Sequence, residues 1–70
     1  MLGTVKEFDV DRGLGVITGD GGEFPFHCTQ IADGTRIIAV KTPVEFEVAA
    51  GPRGRWEAVA IRAVEKLEPF

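Results

Sequence analysis

An all-β fold is what this sequence predicts, and three observations carry the prediction. Clusters of Gly, Pro and Asp punctuate the chain at short, fairly even intervals, the spacing of a small sandwich or barrel. Between them apolar and polar side chains alternate at period two, most cleanly in "PVEFEVAA" (43–50). No heptad and no sustained period of 3.6 residues argues for helices. At 70 residues the chain is a single domain, 1–70, too small for a generous core and therefore expected to close economically.

"TVKEFDV" (4–10) is the first strand. Val5 is out of phase with Phe8 and Val10, which predicts a bulge or sharp bend around Lys6–Glu7. "DRG" (11–13) is a turn, "LGVIT" (14–18) the second strand, and "GDGG" (19–22) a hairpin loop of residues that accept positive φ. "EFPFHC" (23–28) is the third strand, with Pro25 inside it. A proline there fits an edge strand, where a missing N–H protects against further pairing. In "TQIADGTRIIAVKT" (29–42) Ile31 plugs the core, "ADGT" turns, and "RIIAVK" reads equally as a helical turn or an extended piece. Pro43 opens the fourth strand, in which Val44, Phe46 and Val48 face inward and Glu45 and Glu47 face water. "GPRG" (51–54) is a turn, "RWEAVAIRAVE" (55–65) the last strand, and "KLEPF" frays from the end. Five strands with one long irregular connection after the third predict a Greek-key barrel of the OB type, with an SH3-like barrel as the competing topology.

Composition narrows the function. Eight Lys and Arg against eleven Asp and Glu argue against a duplex binder with a basic stripe, but not against single-strand binding by base stacking. One cysteine and one histidine exclude an internal disulfide and a tetrahedral zinc site, and no cofactor is implied. Ser and Tyr are absent, and His27 and Cys28, adjacent on a strand, point to opposite faces, so an enzyme is not expected. No charged leader precedes an apolar run and no stretch is long enough to span a bilayer, which makes the cytoplasm the expected compartment.

Three ordered segments add a resemblance. "GTVKEFD", "RGLGVI" and "FPFH", followed by "VEFEV" and "GPRG", resemble the bacterial cold-shock domain over essentially the whole chain. In that family the first strand reads roughly G-x-V-K-W-F-N, the second K-G-F-G-F-I and the third V-F-V-H-F, on a five-stranded OB barrel. The resemblance implies binding of single-stranded RNA or DNA, with exposed aromatics stacking on bases. Lys6, Phe8, Gly13, Gly15, Ile17, His27 and the Gly51–Gly54 turn match. Glu7 stands in place of the tryptophan, Leu14 and Val16 in place of two phenylalanines, Pro25 in place of a third, and Cys28 in place of the closing aromatic. Phe24 and Phe26 align with core valines and are expected to point inward. Stacking contributes about 1–3 kcal/mol per base, so three or four lost platforms remove roughly 4–8 kcal/mol. A micromolar complex has only about 8 kcal/mol in total. Weak or altered binding follows.

The contacts expected for nucleic acid are Lys6, Phe8, Arg12, His27 and Trp56, with Leu14 and Val16 as an apolar floor. Trp56 either caps the barrel end or stacks on a base beside Arg53 and Arg55, and a one-residue slip in the last strand swaps its face. Leu14, Val16 and Pro25 together also suit a second reading, a protein-interaction or self-associating module, a homodimer included, that has lost its ligand.

Overall fold

The computed structural model describes residues 1–19, 21–32, 34, 37–51 and 54–64. Five antiparallel strands form one sheet: β1 (Leu2–Asp9), β2 (Leu14–Gly19), β3 (Gly22–His27), β4 (Pro43–Ala50) and β5 (Trp56–Ala63). Their spatial order is β3-β2-β1-β4-β5. The edge strands β3 and β5 pack against each other, so the sheet curls into the five-stranded Greek-key barrel of OB type that the turn spacing predicts. Pro25 therefore lies on an edge strand, where a proline is tolerated. No helix among the described residues is long and apolar enough to cross a membrane.

The predicted break in β1 is a bulge. Val5 pairs with Ile17 and Glu7 with Val16, which leaves Lys6 as the extra residue and puts both Val5 and Phe8 on the inner side. Inner residues line up across the three strands as Val5–Ile17–Phe24 and Phe8–Gly15–Phe26. Phe26 is buried and Phe24 half-buried, both packed in the core, as their alignment implied. Val44, Phe46, Ala58, Ile61, Ile31 and Ile38 complete the buried cluster, while Val48 is only partly covered.

A second bulge lies where the last strand is longer than expected. Glu45 pairs with Arg62 and Glu47 with Val59, so Ala60 and Ile61 together oppose Phe46. Ala60 takes φ 52°, the left-handed region. β3 ends one residue earlier than predicted, because Cys28 begins a 3-10 turn over Cys28–Gln30 that carries Ile31 into the core beside Ile61. Ile37–Ala39 are neither helix nor strand. The following residues satisfy the backbone of β1 instead: Lys41 N–H donates to the Val5 carbonyl at 2.7 Å and Val5 N–H to that of Thr42 at 3.0 Å. The tail from 65 onward, Asp20, and Pro52–Arg53 of the predicted turn lie outside the described residues.

Candidate nucleic-acid interface

The outer face of β1–β3 carries two cross-strand rows, Glu7–Val16–Pro25 and Asp9–Leu14–His27. Because the strand period is two, these are the residues left over once Phe8, Gly15 and Phe26 have turned inward. Leu14 is 46% exposed, and Val16 and Pro25 are half-buried. They floor a cleft of about 350 Å³ that is also lined by Phe8, Glu7 and Arg12. A second hollow of about 250 Å³ shares Leu14 and Pro25 and adds His27 and Glu57.

Phe8 contributes less surface than an outward ring. It stacks on Phe26 with centroids 5.8 Å apart and packs against the core, so it meets the cleft from below. Lys6 is exposed, but its Nζ donates to Glu23 Oε2 at 2.6 Å, across the width of β2. That hydrogen bond, and next the charge of Glu23, raise the Lys6 pKa above its usual 10.5. Arg12 sits in the β1–β2 turn with Nε 3.8 Å from Asp9 Oδ2. The other oxygen of Asp9 accepts from the Asp11 and Arg12 N–H groups, which fixes the turn.

His27 is exposed and held in one orientation. It caps the 3-10 turn, its Nδ1 accepting from Thr29 N–H at 3.2 Å, with Thr29 Oγ1 2.9 Å away. With Nδ1 accepting, neutral His27 carries its proton on Nε2. Cys28 Sγ lies 4.0 Å from Nδ1 and is half-buried against Gly13, where a Cβ would come within 2.8 Å of the sulfur and where φ is 68°.

Leu14, Val16, Phe8, Arg12 and His27 thus gather on one side of the barrel, with Lys6 at its margin. Trp56 lines neither hollow: it pairs with Ala50 beside the β4–β5 turn and is 61% exposed, so it does not cap the barrel. Arg55 beside it is exposed, and Arg53 lies outside the described residues. Four residues were missed in the sequence reading: Asp9, Glu23, Glu57 and, as a lining residue for the ligand, Pro25. Their common signal is acidity or smallness at outer-face parity, which is visible only once the register is known.

A closed five-stranded antiparallel barrel with this outer face belongs to the class of small OB-type β-domains. The family model described as "'Cold-shock' DNA-binding domain" matches residues 1–64. Cold shock-like protein CspA of Stigmatella aurantiaca is 46% identical over 55 residues, which is 74% of this chain and 81% of that protein. Cold shock-like protein CspD of Escherichia coli is 36% identical over 62 residues, 84% of each chain. Among solved structures, the drosophila Unr CSD456 chain superposes with a TM-score of 0.74 at 26% identity, covering 91% of this chain and 26% of that one. The chain belongs to the cold-shock domain family, a family of nucleic-acid-binding proteins.

Proposed function

We propose that this domain binds single-stranded RNA or DNA on the outer face of β1–β3, more weakly than a face with its full set of aromatic platforms, and catalyses no reaction. The observation that carries the reading is convergence: His27, Leu14, Val16, Pro25 and Phe8 line two adjoining hollows on one face. A base laid on Leu14 and Val16 gains apolar contact without ring stacking, while His27 Nε2–H offers one directed hydrogen bond. Arg12 and Lys6 are the cations nearest the strand's phosphates, and both already face carboxylates. Trp56 offers a separate stacking surface toward one end. The expected setting is the cytoplasm, with no membrane partner.

Titrating a fluorescently labelled hexanucleotide at low salt, with an amide chemical-shift map in parallel, tests the reading. Saturable binding at sub-millimolar protein, with shifts concentrated on Leu14, Val16 and His27, supports it. No saturation at sub-millimolar protein, or shifts confined to another face, defeats it.

The exposed Leu14, continuous with Val16 and Pro25 in one apolar patch, favours a second reading, self-association or a protein contact. Light scattering at rising concentration separates the two. A species that stays monomeric, unchanged by Leu14→Asp, removes the self-association form.

A further inference from the structure

The smaller hollow holds hydrogen-bonding groups of opposite kind that the fold leaves unused. His27 lines it with Nδ1 occupied by Thr29, so Nε2–H is a donor without a partner among the described residues. Glu57, half-buried near the start of β5, lines the same hollow. Its carboxylate rests over Gly51, where a Cβ would come within 2.5 Å of Oε2. The missing side chain at Gly51 is what makes room for it. No hydrogen bond or ion pair to another described residue engages Glu57. Both carboxylate oxygens are thus free to accept from a ligand offering two adjacent N–H groups. Leu14 and Pro25 provide an apolar surface for the face of a ring.

We infer that this hollow selects guanine from a bound single strand. Glu57 accepts from guanine N1–H and the N2 amino group, His27 Nε2–H donates to O6, and Leu14 and Pro25 cover the ring. Guanine is the common base whose pairing edge runs donor, donor, acceptor. Adenine and cytosine would turn a ring-nitrogen lone pair toward the carboxylate. Uracil would offer it one N–H flanked by two carbonyl oxygens. An acceptor left facing the carboxylate is the situation in which a polar site rejects a near-isostere most strongly.

The inference rests on the single-strand reading, and its test keeps the two apart. Anisotropy is measured with labelled hexauridine and with the same oligomer carrying one G, A, C or inosine, at one low salt concentration. The G oligomer is expected to bind roughly tenfold more tightly than the A, C and U forms. Inosine, which keeps N1–H and O6 but lacks the amino group, falls between. In Glu57→Gln the paired acceptors become one acceptor and one donor. The G advantage should then collapse toward unity while hexauridine affinity holds or rises. Circular dichroism confirms that the variant keeps its sheet. Equal affinity for every oligomer overturns guanine selection and leaves single-strand binding standing. A G advantage that survives Glu57→Gln overturns the part given to Glu57. Binding of none of the oligomers overturns both readings.

Discussion

Phe8 and Phe26 stack in parallel, their ring centroids 5.8 Å apart and their planes 6° from parallel, across the backbone of Gly15. The two rings sit on strands that are not neighbours, and they meet because the residue between them has no side chain. A Cβ on Gly15 would lie 2.5 Å from the Phe26 ring and 2.8 Å from the Glu7 carbonyl oxygen. The ring could shift; the carbonyl belongs to the β1 bulge and could not shift as easily. Gly15→Ala should therefore cost about 1–3 kcal/mol, the range for overpacking a filled core. Urea denaturation should show a lower midpoint at unchanged slope. Unchanged stability would mean that the stack is loosely held.

The bulge in β1 was legible because it is local: Val5 and Phe8 are three residues apart and both apolar, so a period of two must fail between them. β4 was legible for the same reason. The bulge in β5 was not. The excess length of the strand was visible, but which residue is extra depends on partners far away in sequence. Ala60 N–H points at Gln30 Oε1 at 3.4 Å, and Ile31 bridges to Ile61. Those contacts set the register that leaves Trp56 exposed. The outer face of β1–β3 was likewise readable by parity, whereas the Lys6–Glu23 pair and Glu57 beside His27 arise from strand register and barrel closure. Neither is written in any short stretch of sequence.

Ala60 tests that account of β5. Its φ of 52° is unfavourable for an L side chain and worse for a branched one. Ala60→Val should lower stability by about 1–2 kcal/mol. Ala60→Gly should leave it unchanged or raise it by up to about 1 kcal/mol, as relief of the strain offsets the greater freedom of the unfolded chain. Thermal or urea unfolding of the two variants beside the parent measures both. If valine is tolerated as well as glycine, the extra residue is not Ala60.

The Lys6–Glu23 contact joins two strands that do not pair directly. Glu23 raises the Lys6 pKa, so the folded state favours the ammonium. Any stabilisation from the pair is then fully present below the ordinary lysine value of 10.5, and is lost only as pH rises through the higher folded value. Stability should show no change from this pair through neutral pH. NMR titration of the Lys6 side chain should place its midpoint above that of the same lysine in Glu23→Gln. Removing the carboxylate also frees the cation for phosphate. Oligonucleotide affinity should rise in Glu23→Gln, and the salt dependence should steepen by roughly 0.7 in log–log slope. An unaltered slope would place Lys6 away from the path of the strand.

Glu7 stands where the resemblance to the family implies a tryptophan, and it offers the most direct test of the proposed interface. It faces outward opposite Val16, beside the Leu14–Pro25 floor, with no hydrogen bond or ion pair to another described residue. A carboxylate there repels a phosphate-bearing strand and supplies no ring. Glu7→Trp changes both terms in the same direction. Stacking should contribute about 1–3 kcal/mol, a tightening of roughly five- to 150-fold, before the relief of repulsion is added. Glu7→Gln removes the charge alone and should tighten binding by less, and progressively less as salt is raised. The difference between the two variants at high salt isolates the ring. If the two bind alike there, the strand does not pass over this position, and the bound bases must lie toward His27 and Trp56 instead.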